Sequence, residues 1–289
     1  YTIVSLSALG MIAAVVLYII ARRFKVIEDP RIDKVESVLP GANCGGCAYP
    51  GCRAFAEACV KAEDLDDLFC PAGGNNCMKQ VAEVLGREVV EKEPVIAVIR
   101  CNGTPDARHR TSLYDGSYSC AIASNLYTGE TDCRYGCLGY GDCVKACTFE
   151  AVFINEDTRL PVVVENKCTA CGACVTACPR DIIELRPKGK KSKRIYVTCI
   201  NRDKGRPARE SCQNACTGCG KCVKICPFEA ITLENNLAYI DAEKCKLCRK
   251  CVEECPTNAI IEMNFPQPKP KTAGEPDKNA TLIKNDNTK

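Results

Sequence analysis

At 289 residues the chain is long enough for two or three small domains, and 26 of those residues are cysteine. Cysteine this abundant usually marks a disulfide-stapled secreted protein, but such scaffolds spread their cysteines to close long loops, whereas here they are packed into C-x2-C and C-x3-C runs. The formal charge of +3 counts every thiol as neutral; metal-bound thiols are deprotonated, so the loaded protein is more acidic than this figure, and nothing in the charge points to nucleic acid.

Taken in order, the chain begins with an apolar run of 20 residues, Thr2 to Ala21, followed at once by Arg22, Arg23 and Lys25. The length and the flanking charges predict a single transmembrane anchor (1–25), with residues 2–21 in the lipid bilayer and the cysteine-rich body in the cytoplasm of a prokaryote. No basic stretch precedes the run and no small-residue cleavage site follows it, which argues against a signal peptide. A short amphipathic linker (26–40) comes next. Residues 41–87 then read as a small iron-sulfur domain: a Gly- and Pro-rich loop carries Cys44, Cys47 and Cys52, a helical pattern leads away over Arg53 to Ala62, and Cys70 before Pro71 returns a fourth thiolate. Cys59 and Cys77 fall in helical patterns and read as packing residues, with Asn75 the expected cap of a helix over Asn76 to Leu85.

Val95 to Ile99 predicts a buried strand ending near Cys101. A Gly-, Ser-, Thr- and Tyr-rich segment holding Cys120 and His109 follows, and the lone histidine is assigned no role. Then come two ferredoxin-like modules. The first (95–185) has the imperfect run Cys133, Cys137, Cys143, Cys147 and the perfect run Cys168, Cys171, Cys174, Cys178-Pro179; the second (195–263) has Cys216, Cys219, Cys222, Cys226-Pro227 and Cys245, Cys248, Cys251, Cys255-Pro256. A C-x2-C-x2-C-x3-C-P run is the bacterial signature for [4Fe-4S] ligation, and in a tandem pair the last cysteine of each run serves the cluster of the other. A four-thiolate zinc site would instead close two C-x2-C pairs across a spacer. The cross-ligation rule groups Cys216, Cys219, Cys222 with Cys255; Cys245, Cys248, Cys251 with Cys226; and Cys168, Cys171, Cys174 with Cys147. Cys137, Cys143 and Cys178 lack a fourth ligand.

Aligning the modules explains that gap. Cys133, Cys137, Cys143 and Cys147 fall on Cys212, Cys216, Cys222 and Cys226, Cys120 falls on Cys199, and Tyr140 stands where Cys219 supplies a thiolate. Cys133 or another nearby thiolate takes its place, or the site holds a degraded cluster or none. The unassigned cysteines are Cys101, Cys120, Cys133, Cys199 and Cys212, enough to complete this site and leave four for a sixth cluster beyond the five expected. The runs are separated by hairpin patterns at 151–165 and 230–242, so each module is a small α+β unit too poor in apolar core to fold without iron. The basic stretch Arg186 to Arg194 reads equally as a solvated loop or a docking patch, and residues 264–289 read as a disordered tail.

An apolar helix with basic flank, the Asn43-Cys44-Gly45-Gly46-Cys47 loop with Cys52 and Cys70-Pro71-Ala72-Gly73-Gly74, and tandem ferredoxin runs together resemble the B subunits of Rnf electron-transport complexes (RnfB), in their long form. The resemblance implies that the chain accepts electrons from reduced soluble ferredoxin and relays them, with the other subunits of the complex, toward NAD reduction coupled to ion movement. Two other roles fit the motifs: an electron-transfer adaptor of a hydrogenase or formate-oxidising membrane complex, or an iron-sulfur redox sensor.

Overall fold

A computed structural model of the chain describes residues 2–23, 28–126 and 129–266. The expected tail lies, from 267 onward, outside the described residues.

The predicted membrane-spanning segment needs correction. A helix forms, α1 (Thr2–Arg23), and its described side chains from Ser5 to Ile20 are all exposed. Yet among the described residues no helix is long and apolar enough to cross a membrane. The single-pass topology and the lipid contact expected at residues 2–21 are withdrawn with it.

Three helices then build a compact unit around the first cysteine loop: α2 (Pro30–Val38), α3 (Cys52–Lys61) and α4 (Gly74–Leu85). Asp29 caps α2, accepting a hydrogen bond from the Arg31 N–H (2.9 Å), and Pro30 sits at the first helical position, where a missing N–H costs nothing. α4 ends at Gly86 in the left-handed conformation. Asn75, expected as a cap, lies inside α4, and its amide instead pins the backbone of Lys92 through two hydrogen bonds. The core of this unit is Val35, Phe55, Leu65, Met78 and Val81, all at most 1% exposed. Phe55→Ala leaves a cavity there and is expected to lower the stability of the anaerobically unfolded holoprotein by about 3–5 kcal/mol, read from a denaturant titration.

The two modules repeat one plan. In the first, β1 (Val95–Ile99) precedes a long insertion holding α5 (Cys120–Leu126); then come α6 (Asp142–Lys145), the hairpin β2 (Val152–Ile154) with β3 (Pro161–Val163), α7 (Ala173–Thr176) and β4 (Ile183–Pro187). The second runs β5 (Arg194–Val197), α8 (Arg206–Ser211), α9 (Lys221–Ile225), the hairpin β6 (Ile231–Glu234) with β7 (Leu237–Ile240), α10 (Lys250–Glu253) and β8 (Ile260–Met263). Alternating β-branched residues make the hairpins, and Asn235 and Asn236 take the two positive-φ positions of a tight turn. In each module the first and last strands pair antiparallel, Val95 opposite Pro187 and Arg194 opposite Met263.

Those terminal sheets also hold the modules together. Ile96 and Val98 of β1 pack with Tyr196 of β5 in one apolar cluster. The basic stretch between the modules is partly structural: Arg186 and Arg194 are buried, Arg186 pairing with Glu184 and bonding the Ile240 carbonyl, Arg194 pairing with Glu165. Two of its six cations are thereby unavailable to a partner.

Candidate iron-sulfur centres

The N-terminal loop and the start of α3 bring Cys44, Cys47, Cys52 and Cys70 around one depression, floored by Phe55. The Asn43 side chain accepts a hydrogen bond from the Cys52 N–H (2.8 Å) and so fixes the loop against the helix. Cys59 and Cys77 are buried in the helical core behind it. The Cys77 thiol lies 3.4 Å from the Val38 carbonyl and within reach of the Cys70 sulfur; given to Cys70, its proton holds Cys70 below the usual thiol range while Cys77 is raised.

In the second module Cys226, Cys245, Cys248 and Cys251 line a single cavity. The other group meets at Cys222: burial pushes that thiol up to about 11, and the charges of Cys216, Cys255 and Cys219 act in the same sense. In the first module burial raises Cys174 to about 11, reinforced by Cys168, Cys171 and Cys147. All three arrangements gather the cysteines that cross-ligation pairs.

At the irregular run, burial raises Cys143 to about 12, with Cys120 the strongest neighbouring charge and Cys178 next. Cys137, buried more deeply, is raised by the same cause and also neighbours Cys120. Cys120, delivered by the insertion, thus stands beside Cys143, while Cys137 has both Cys101 and Cys120 as neighbours. Tyr140 and Asp142 hold the insertion in place. Tyr140 packs against Tyr114 and Tyr118, each with ring centroids 5.6 Å away. The Asp142 carboxylate accepts hydrogen bonds from the Ser119 hydroxyl (2.9 Å) and the Ala121 N–H (3.0 Å) at the start of α5. Burial would raise Asp142, but these bonds outweigh it and hold the carboxyl below its usual range.

Backbone conformation marks the same sites. On either side of Cys171, Cys219 and Cys248 the chain is left-handed, at Ala170 and Gly172, Gly218 and Gly220, Leu247 and Arg249. Gly139 and Gly141 give Tyr140 the same flanks, so that loop keeps the shape of a ligand loop without the ligand. The remaining cysteines, Cys101, Cys133, Cys199 and Cys212, lie together where the modules meet: Cys101 is a neighbouring charge at each of the other three. Constant-offset alignment misplaced one of them. Cys101 and Cys199 each stand two residues beyond the first strand of their module, so Cys101 is the structural counterpart of Cys199, and Cys120 belongs to the insertion.

Among the described residues no three His, Cys, Asp or Glu side chains close to the spacing a single metal ion needs. Zn–S bonds of about 2.3 Å would set thiolates roughly 3.8 Å apart, whereas a four-iron cube carries its thiolates on its outer corners and spaces them more widely. The groups of four thiols suit such cubes in ligand chemistry and in number.

Gathered four-cysteine groups on two ferredoxin-like modules and a preceding loop define a multicentre ferredoxin-type iron-sulfur protein. Family models agree, with 4Fe-4S dicluster domains matching residues 131–183, 167–230 and 215–259 and a putative Fe-S cluster domain matching 39–71. The chain is 46% identical to the B subunit of the Na(+)-translocating ferredoxin:NAD(+) oxidoreductase complex of Acetobacterium woodii, over 83% of this chain and 71% of that one. It is 42% identical to the B subunit of the ion-translocating oxidoreductase complex of Methanosarcina acetivorans (84% and 90% covered) and 39% identical to that of the proton-translocating ferredoxin:NAD(+) oxidoreductase complex of Clostridium ljungdahlii (84% and 84%). The chain belongs to the family of B subunits of ion-translocating oxidoreductase complexes.

Proposed function

We propose that this chain is the electron-accepting subunit of an ion-translocating ferredoxin:NAD oxidoreductase complex, taking electrons from reduced ferredoxin at its second module and delivering them through its N-terminal site to the other subunits. Moving ions requires a membrane to move them across, so the complexes its relatives name are membrane-associated. Its 26 cysteines, all free thiols, suit the reducing side of that membrane.

The observation that carries this reading is the succession of cysteine groups. Only Cys219 and Cys248 are exposed, both in the second module. Around them exposed lysines (Lys221, Lys224, Lys244, Lys246, Lys250) alternate with exposed glutamates (Glu243, Glu253, Glu254), Lys221 pairing with Glu254. At the other end Cys44 of the N-terminal loop neighbours Cys171 of the first module.

Five [4Fe-4S] clusters follow: Cys44, Cys47, Cys52 and Cys70; Cys147, Cys168, Cys171 and Cys174; Cys120, Cys137, Cys143 and Cys178; Cys216, Cys219, Cys222 and Cys255; Cys226, Cys245, Cys248 and Cys251. Such a cluster, when bound, takes up and gives back one electron with little rearrangement. The chain's part is to hold thiolates, exclude water and set the order of the sites. Replacing Cys44 or Cys70 with serine is expected to abolish ferredoxin-dependent NAD reduction by the assembled complex, while EPR still detects reduction of the C-terminal clusters. Normal turnover in either variant would refute the reading.

A further inference from the structure

We propose that the Thr169 hydroxyl donates a hydrogen bond to a sulfur of the cluster held by Cys147, Cys168, Cys171 and Cys174, and so raises the reduction potential of the site next to the N-terminal loop. The proposal rests on the iron-sulfur reading above and adds to it a residue that binds no iron.

Among the described residues three buried side-chain atoms have no hydrogen-bond partner: Asp142 Oδ1, Arg194 Nε and Thr169 Oγ1. Two of these belong to side chains that are well bonded elsewhere. Asp142 accepts two hydrogen bonds through its other oxygen, and Arg194 donates through both terminal nitrogens, to the Ser192 carbonyl (2.9 Å) and to Glu165. Thr169 has a single polar side-chain atom, and nothing in the protein bonds it. A hydroxyl withdrawn from water without a partner is costly, so a group that accepts its proton is called for.

Its place in the chain supplies that group. Thr169 stands between two ligands, in the loop Cys168-Thr169-Ala170-Cys171. The surroundings are apolar: Ala170 is buried, and Cys168 packs with Ile96, Val98, Val163 and Tyr196. None of the thiols accepts from the hydroxyl. A four-iron cube bound by both flanking residues carries anionic inorganic sulfur as well as thiolate, the acceptor this stretch of chain otherwise lacks. The other runs differ at the same place. Lys246 follows Cys245 and is exposed, Leu138 follows Cys137 and offers no donor, and the hydroxyl of Thr217, after Cys216, is not among the buried unbonded atoms.

An added electron makes a cluster more negative, and a donor to its sulfur stabilises that state more than the oxidised one, which raises the potential. The proton stays on the threonine oxygen throughout, and only the electron moves. Position gives this its use. Cys171 is a neighbouring charge of Cys44, and its backbone lies close against Gly46, so this cluster adjoins the N-terminal site. Thr169 makes it easier to reduce, which draws electrons from the modules toward the N-terminal loop.

The test is an EPR-monitored redox titration of the full chain purified anaerobically, for wild type, Thr169→Val and Thr169→Ser, with iron content measured on each and on Cys171→Ala. Valine keeps the shape and removes the donor, whereas serine keeps the donor. A charge-assisted hydrogen bond corresponds to about a tenfold change in the ratio of reduced to oxidised cluster, or ~59 mV for one electron. In Thr169→Val the component that Cys171→Ala depletes is therefore expected to titrate at a potential lower by that amount, with iron unchanged, while Thr169→Ser titrates as wild type. Wild-type potentials in Thr169→Val, beside iron loss in Cys171→Ala, overturn the hydrogen bond alone. An equal shift in Thr169→Ser overturns it too, since packing and not the donor would then set the potential. If Cys171→Ala keeps its full iron, the ferredoxin-like reading of this run fails and the hydrogen bond with it. Should Thr169→Val lose iron, Thr169→Ala removes the donor without a second methyl and carries the same expectation and the same refutation.

Discussion

Replacing Cys120 with serine is expected to remove one cluster, about four irons per chain, and adding Tyr140→Cys to that variant is expected to restore it. Cys120 is the thiol that the insertion brings beside Cys143 and Cys137, and serine leaves that site with three thiolates. The rescue follows from the backbone. Gly139 and Gly141 hold residue 140 in the left-handed frame that presents Cys171, Cys219 and Cys248 from their own loops, so a thiol there points where those thiols point. Iron content and the EPR signature of the first module read both halves of the prediction. Full iron in Cys120→Ser would remove Cys120 from the ligand set; a double variant that stays depleted would mean the Tyr140 loop no longer presents a ligand.

The second large effect is expected at Gly46. A Cβ built on Gly46 would lie 2.8 Å from both the Cα and the carbonyl oxygen of Cys171, backbone atoms that cannot swing aside as a side-chain tip can. Gly46→Val therefore forces the N-terminal loop away from the first module. Overpacking of this kind costs about 1–3 kcal/mol, which disfavours the docked arrangement by roughly one to two orders of magnitude. Electron transfer from the modules to the N-terminal site should slow accordingly, with iron content unchanged. Stopped-flow reduction by ferredoxin, with each cluster followed by freeze-quench EPR, distinguishes this outcome from loss of a cluster. An N-terminal site reduced at the wild-type rate would show that the Gly46 contact is not the route.

Sequence spacing alone identified the ferredoxin runs because a cube confines its ligands to a short arc of chain. C-x2-C-x2-C places three thiolates around one corner of space with little help from the rest of the fold, and the cross-ligating fourth cysteine follows from the two-run repeat. For the same reason Cys44, Cys47, Cys52 and Cys70 were legible as a group, and the hairpins at 151–165 and 230–242 were legible from their alternation. The apolar run at the N-terminus was legible as a helix but misled as to a membrane span, since among the described residues no helix is long and apolar enough to cross.

Cys101, Cys120, Cys133, Cys199 and Cys212 lay beyond that reach. Their partners come from segments up to 111 residues apart in the chain, as Cys101 and Cys212 are, and no local spacing encodes such a meeting. A constant-offset alignment set Cys120 against Cys199, because an insertion in one copy shifts the register without leaving a gap that cysteine spacing can show. The strands settled the equivalence, since β1 and β5 each deliver a cysteine two residues past their ends. Sequence by itself determined the chemistry of this protein, thiolates in cluster-binding runs, because that chemistry is local. Tertiary structure alone placed Cys120 beside Cys143 and Cys101 near Cys133, Cys199 and Cys212, because those meetings depend on how strands, insertion and modules pack.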